Sequence, residues 1–139
     1  MPEDAQLHAS TTGITYAYAG GVAAAVERTL EKLNPHRKIK LQTRKADGVP
    51  GCKAMINDIL EGRREGNFFE GMGCIGGCVG GPRAIIPKEE GKKCVQTYAD
   101  SSAFETPMEN PYVIGILKEL GFNTVEDFLT KSHLYDRQF

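Results

Sequence analysis

Regularly spaced apolar side chains divide this chain into five helical stretches. In residues 22–33 an apolar face repeats at helical spacing, charged residues occupy the opposite face, and Pro35 follows as a stop. Pro87 and Pro111 stand where a helix tolerates proline at its start, and Thr124 is placed as an N-cap. The pattern predicts helices at residues 22–33, 52–60, 87–99, 111–121 and from residue 124 onward.

Three other stretches have the composition of β-strands. Residues 11–18 are rich in β-branched and aromatic side chains, and residues 38–44 alternate apolar and polar positions, as a half-exposed strand near a sheet edge does. Residues 67–70 form a short apolar run that is typical of a buried strand. A turn is expected at residues 46–51, where Asp, Gly and Pro cluster.

The alternation of strands with helices predicts the fold class. We expect an α/β fold with a small, mostly parallel sheet flanked by helices, and a single domain over residues 1–139. Within it, residues 121–139 are expected to form a peripheral helix and a tail. A glycine-rich loop with two cysteines follows residues 67–70, so we predict that this loop lies at the carboxyl end of a strand.

The charge balance narrows the classes of partner. With 17 basic and 18 acidic residues and a net charge of −1, the chain has no basic patch of the kind that nucleic-acid binding needs. No apolar run approaches the roughly 20 residues of a membrane span, and the first residues lack the features of a secretory signal. We therefore expect a cytoplasmic protein with neither nucleic-acid nor membrane partners.

The candidate chemistry lies in the loop at residues 72–82, where glycines surround Cys74 and Cys78. Three residues separate the two thiols, a spacing that differs from the Cys-x-x-Cys pattern of common zinc sites and of thioredoxin-type dithiols. Glycine-rich loops that supply thiolates are typical of iron–sulfur sites. Cys52 and Cys94 fall on apolar helical faces, so we expect them to be buried hydrophobic residues and not ligands.

Two segments carry a resemblance to a known family. Residues 69–81 resemble the last of the three cysteine motifs of iron-only (di-iron) hydrogenases, which is approximately F-x-E-x-M-A-C-x-x-G-C-x-x-G-G. Residues 16–22 are similar to an aromatic-G-x-x-G-G-V stretch of the same family. The order of elements from residue 12 to about residue 120 is similar to that of the family's carboxy-terminal lobe.

This resemblance implies roles for five residues. Cys74 would be a ligand of a four-iron four-sulfur cubane, and Cys78 would hold the cubane and bridge to a di-iron unit. Met72, Tyr16 and Val22 would line the di-iron pocket, and we name no catalytic residue in this chain. The complete protein would interconvert protons and dihydrogen and exchange electrons with a ferredoxin-like carrier.

The sequence also departs from the family pattern. Gly73 and Ile75 replace the usual alanine and proline, and Pro82 follows after only two glycines, which favours a divergent or sensory-type member. The other two cysteine motifs, which in the family supply two more cubane ligands and a proton-delivering cysteine, are absent from this sequence. We therefore expect a fragment that needs the missing amino-terminal lobe and is inactive alone.

Two alternatives remain open. A free-standing relative would complete its site with Cys52, Cys94 or a partner, and would act as a non-catalytic iron–sulfur carrier, assembly factor or sensory domain. A zinc-stabilised interaction module would use Cys74 and Cys78 with Cys94 or a histidine, for which His8 is the candidate.

Overall fold

The computed structural model describes residues 8–132, and the statements on structure refer to those residues. They form six α-helices, two β-strands and three short 3-10 turns. The helices are α1 (Thr11–Ile14), α2 (Gly21–Leu33), α3 (Gly48–Leu60), α4 (Lys88–Asp100), α5 (Pro111–Glu119) and α6 (Val125–Lys131), and the strands are β1 (Thr43–Asp47) and β2 (Phe68–Met72). The 3-10 turns are Thr15–Ala17, Cys78–Gly80 and Pro107–Glu109. The tail predicted to end at residue 139 lies outside the described residues from residue 133 onward.

A parallel β-α-β unit organises the site. β1 pairs with β2 in parallel, from Thr43 opposite Phe68 to Asp47 opposite Met72. Parallel neighbours need a crossover connection, and α3 supplies it directly after β1, where Gly48 takes a φ of 71°. The predicted α/β class is confirmed, with a sheet of two strands in the described residues. Because both strands end at the same edge, Asp47 and Met72 are neighbours there, and the cysteine loop starts at that edge.

The strand predicted at residues 11–18 is wrong, because this stretch forms α1 and a 3-10 turn. Ser10 caps α1 by accepting a hydrogen bond from the Gly13 N–H. The Thr11 hydroxyl donates to the Ala99 carbonyl of α4 at 3.1 Å. Hydroxyl side chains that bond to nearby backbone favour caps and turns, so the β propensity of this stretch is overridden.

The second strand lies further along the chain than residues 38–44, since β1 begins at Thr43. The Asn67 side chain occupies the place of a strand partner just before it. Its carbonyl oxygen accepts from the Gln42 N–H at 2.8 Å, and its amide donates to the Lys40 carbonyl at 3.0 Å. The backbone N–H groups of Asn67 and Phe68 also donate to the Gln42 carbonyl, at 2.9 and 3.2 Å, so Asn67 holds the chain just before the ladder begins at Thr43 and Phe68.

The turn predicted at residues 46–51 is instead the end of β1 and the first turn of α3. Pro50 is tolerated there because N–H groups in the first helical turn have no partner within the helix. The sequence pattern located the apolar face of α3 but placed its start four residues late, at Cys52 instead of Gly48.

The other predicted helices are confirmed with small shifts at their ends. Thr124 caps α6 as predicted, and its hydroxyl accepts from the Asp127 N–H at 3.0 Å. The predicted apolar stripe of α4 is only partly right, because Cys94 is exposed while Ala99 is fully buried. Gly91 is buried as well, since α4 packs so closely that a Cβ there would lie 3.3 Å from the Val79 Cβ.

Small side chains form much of the core. The buried apolar residues include Ala23 and Ala25 of α2, Met55 of α3, Ala99 of α4 and Leu117 of α5. Alanines let α2 approach its neighbours closely, and β2 contacts this helix through Glu70. No helix among residues 8–132 combines the length and the apolar character that crossing a membrane requires.

Candidate functional site

Cys74 and Cys78 lie at the two ends of one tight turn. β2 ends at Met72, and the chain then reverses so that the Gly77 N–H donates to the Cys74 carbonyl at 3.0 Å. Gly76 and Gly77 have φ values of 87° and 90°, a left-handed conformation that favours glycine. The turn leads straight into the 3-10 turn that begins at Cys78, so both thiols project from a single short segment.

The glycines of this turn are required by contacts within the chain. A Cβ at Gly77 would lie 2.6 Å from the Ala19 nitrogen and 2.7 Å from the Tyr18 Cα, and a Cβ at Gly80 would lie 2.0 Å from the Ile75 oxygen. Gly73 differs, because nothing lies within 4 Å of a Cβ built there. The glycine content therefore reflects close packing of protein on protein at least as much as room for a ligand.

Two hydrogen bonds fix this turn to the rest of the chain. The Asp47 carboxylate, at the end of β1, accepts from the Gly76 N–H at 2.7 Å. The Ala19 N–H donates to the Gly76 carbonyl at 3.0 Å. Both polar groups of the Gly76 backbone are thereby bonded, and the cysteine turn is held between β1 and the segment that precedes α2.

Three of the four cysteines line one open, mostly apolar cavity of about 650 Å³, which we call the thiol cavity. Its cysteines are Cys74, Cys78 and Cys94, and its apolar wall includes Ile85, Ile86 and Val95. Cys74 is partly buried, whereas Cys78 and Cys94 are exposed. The expectation that Cys94 is a buried core residue is wrong, since its face of α4 opens onto this cavity.

Cys52 lies apart from the other thiols. It is partly buried near the start of α3, where its Sγ is 3.4 Å from the Met72 carbonyl oxygen and 3.7 Å from that of Ala46. A Cβ at Gly71 would be 3.3 Å from this sulfur, so Cys52 packs against β2. These contacts match the predicted role of Cys52 as a small packed side chain.

The three residues predicted to line a di-iron pocket occupy different surroundings. Met72 is half-buried with its Sδ 2.8 Å from a Cβ built on Gly77. Val22 is half-buried in the first turn of α2, and Tyr16 is exposed in a 3-10 turn. None of the three borders the thiol cavity, and their role in a di-iron pocket stays a prediction.

The histidine named as a zinc candidate does not face the thiols. His8 stacks on Tyr112, with ring centroids 3.9 Å apart, and lines a separate depression next to α5. His36 is exposed after α2, and His133 lies outside the described residues.

The donor set of this site is incomplete within the described part of the chain. Residues 8–132 hold no assembled group of three or more His, Cys, Asp or Glu side chains that could bind a metal ion. Two thiols at the ends of one turn suit the sulfur-rich ligation of iron–sulfur clusters, but a cubane takes four ligands. The arrangement therefore fits one side of such a site.

One buried acid beside this turn was not singled out by its sequence. Glu70 of β2 is 6% exposed, and its carboxylate accepts from the N–H groups of Gly20 and Ala23 at 2.6 and 2.8 Å. Three signals could have found it, the first being the acid of the motif F-x-E-x-M-A-C, which falls on Glu70. It is the only acid in a strand with two phenylalanines, and the helix starting at Gly21 has no capping side chain of its own.

The sequence matches the model of one protein family. Residues 1–82 match the family model described as the iron only hydrogenase large subunit, C-terminal domain. This segment contains Cys74 and Cys78 and ends before Cys94. No curated protein matches the chain.

Proposed function

Because the chain belongs to the family formed by the C-terminal domain of the iron-only hydrogenase large subunit, we propose that it is the lobe that holds one side of an iron–sulfur site. The observation that carries this proposal is the placement of Cys74 and Cys78. Both lie inside the matching segment, at the two ends of one turn, at the carboxyl edge of a parallel sheet. Open α/β sheets place their ligands at this edge.

Each part of the site has a separate task in this proposal. Cys74 and Cys78 supply thiolates, and Asp47 holds the turn between them through the Gly76 N–H. The apolar wall of the thiol cavity would lower the polarity around a bound cluster, which tunes iron–sulfur chemistry. When bound, a four-iron four-sulfur cubane with its di-iron unit supplies the redox chemistry that interconverts protons and dihydrogen. Met72, Tyr16 and Val22 would shape the di-iron side.

The remaining cubane ligands are proposed to come from an amino-terminal lobe. Exposed apolar side chains support a large missing partner, since Val49, Ile56 and Leu60 of α3 are each more than half exposed. Ile116 of α5 and Leu120, the residue directly after this helix, are at least half exposed as well. A ferredoxin-like electron carrier is proposed from family membership alone, and the isolated chain is expected to be inactive.

Anaerobic reconstitution with iron and sulfide tests this proposal. The chain is assembled with an amino-terminal hydrogenase lobe, and iron content and the electron paramagnetic resonance signal of a cubane are measured. We expect Cys74→Ser and Cys78→Ser each to lower cluster occupancy by at least about tenfold, because each removes a ligand. Cys52→Ser is the matched control and should keep the cluster, since that sulfur faces backbone carbonyls. A wild-type assembly without any cubane signal, or full occupancy in the Cys78 variant, would contradict the proposal.

A second candidate function is favoured by the position of Cys94. Because this thiol lines the same cavity as Cys74 and Cys78, a non-catalytic iron–sulfur carrier, assembly or sensory domain would use it as a third ligand. Cys94→Ser separates the two candidates. Loss of the cluster in this variant, together with no hydrogen–deuterium exchange activity in the wild type, favours the carrier, whereas an unaffected cluster favours the hydrogenase lobe.

A further inference from the structure

The helix α2 starts without a capping side chain of its own. Its N-cap is Gly20, with a φ of 92°, and its first turn contains no acidic residue. The N–H groups of a first helical turn have no partner within the helix and carry the positive end of the helix dipole. The Gly21 N–H donates to the Tyr18 carbonyl at 3.0 Å, whereas the N–H groups of Gly20 and of the buried Ala23 need an acceptor from another element.

Glu70 satisfies two of these groups from a different element. Its carboxylate accepts from the Gly20 N–H at 2.6 Å and from the Ala23 N–H at 2.8 Å. These are the N-cap and third positions, which in a capping box are bonded by two side chains of the helix itself. Here one carboxylate from β2 makes both bonds, and bonds to an ionised group are the stronger kind.

No lysine, arginine or histidine within residues 8–132 forms an ion pair with Glu70. Glu70 is 6% exposed, and its carboxylate bonds the two backbone N–H groups. The ammonium of Lys45, which lies opposite Glu70 in the sheet, sits next to Gly20 without forming an ion pair with Glu70. Because a buried charge without partners is costly, this geometry holds only while β2 and the first turn of α2 keep their relative placement.

The same two segments meet at further points. Residues 18–23 and residues 70–77 together form a contact that we call the glycine seam. Within it the Ala19 N–H bonds to the Gly76 carbonyl, and Gly77 packs against Tyr18 and the Met72 sulfur. Glu70 is the charged member of the seam, and it lies two residues before Met72 and four before Cys74.

We propose that Glu70 is a positioning residue for the iron site: by bonding Gly20 and Ala23 it fixes Val22 and the first turn of α2 against β2, which ends at Met72, two residues before Cys74. This inference deepens the proposed function and rests on it for the effect on iron. The fixing of α2 itself is independent of any bound group.

Amide exchange measured residue by residue tests the fixing of α2 in the iron-free chain. Glu70→Gln replaces one side-chain oxygen by an NH₂ group, which cannot accept a hydrogen bond. Glu70→Asp keeps the carboxylate, but on a side chain that is too short to reach both backbone N–H groups. We expect exchange at Gly20 and Ala23 to accelerate by about tenfold or more in each variant. Exchange at Leu117 in α5 should stay unchanged, and Glu31→Gln, an exposed acid on the same helix, is the matched control.

Unchanged exchange at Gly20 and Ala23 would overturn the inference, and so would an equal acceleration at Leu117, which marks general destabilisation. If the Gln variant does not fold, the Asp variant decides by the same measurement. In protein assembled with the amino-terminal lobe, Glu70→Gln should shift the g-values of the loaded iron site while Glu31→Gln does not. An unshifted spectrum overturns the link to the iron site. A wild type that never loads a cluster overturns the proposed function, and the exchange result still decides the fixing of α2.

Discussion

Carboxylates contact α2 in two regions, which differ in burial and in the groups that the carboxylates bond. In the glycine seam, Glu70 is buried and bonds to backbone N–H groups. On the outer face of the helix, Arg28 and Lys32 pair with Glu105 and Glu109, a group that we call the carboxylate clamp. The side chains of its two acids are 44% and 38% exposed.

The two carboxyl groups of the clamp have lowered pKa values, yet these contribute little to the stability of the fold. The hydrogen bond from Lys32 lowers the pKa of Glu109 to about 2, and hydrogen bonds from Lys32 and Arg28 lower the pKa of Glu105. Solvent screens such exposed pairs, which typically contribute less than about 1 kcal/mol. Water replaces a buried carboxylate that bonds one buried and one partly buried N–H group less easily, so the seam should contribute more to stability and to geometry.

The largest effect is expected where the seam has no spare space. Gly77→Ala introduces a Cβ 2.6 Å from the Ala19 nitrogen, at a residue with a φ of 90°. Overpacking and backbone strain together should lower the free energy of unfolding of the full chain by about 2–5 kcal/mol, measured by urea denaturation. Gly73→Ala, in the same loop but with nothing within 4 Å, should change it by less than about 0.5 kcal/mol. Equal effects of the two substitutions would show that the seam is not closely packed.

The second largest effect is expected when one carboxylate of each region is removed and the two losses of unfolding free energy are compared. Glu70→Ala leaves the Gly20 and Ala23 N–H groups without their acceptor and should lower the free energy of unfolding by about 2–4 kcal/mol. Glu109→Ala should lower it by only about 1 kcal/mol, because Lys32 keeps Glu105 as a partner at 3.1 Å and the lost bonds to the Glu105 and Thr106 N–H groups are those of a partly exposed cap. Urea denaturation at neutral pH measures both. A Glu109 variant as unstable as the Glu70 variant would reverse the order proposed for the two regions.

Sequence patterns predicted those elements in which one apolar face decides the structure. The periodicity of α2 and α5 and the Thr124 cap of α6 needed only neighbouring residues, and they were predicted nearly to their ends. The strand predicted at residues 11–18 was wrong because the Thr11 hydroxyl bonds to the Ala99 carbonyl. This partner is 88 positions away, so local propensity could not indicate it. A pattern read from neighbouring residues cannot predict long-range contacts of this kind.

Some residues of the candidate site could likewise be predicted from local sequence, and others could not. Cys74 and Cys78 could be chosen from spacing and glycine content, because both lie in one local turn. The exposure of Cys94 and its place beside them depend on how α4 packs, which the helical stripe did not predict. Glu70 also gains its partners through the fold, since 50 positions separate it from Gly20.

The smallest predicted effect is the pH dependence of the stability that Glu109 of the clamp contributes. The pKa of Glu109 is lowered from 4.5 to about 2 in the folded chain by Lys32, which also bonds Glu105, and by the Thr106 N–H. A lowered carboxyl pKa contributes stability that is complete above the unfolded value of 4.5 and is lost as the pH falls towards 2.

Comparison of the wild type with Glu109→Gln from pH 7 to pH 2 measures this contribution. The wild type should lose its advantage over the variant between about pH 4.5 and pH 2, by less than about 1 kcal/mol because the pair is exposed. Raising the salt concentration at pH 7 should shrink the same difference, since Debye screening weakens exposed pairs. A difference that survives both acid and salt would mean that Glu109 acts through its bonds to the Thr106 backbone and hydroxyl, and the clamp would then resemble the seam more than its exposure suggests.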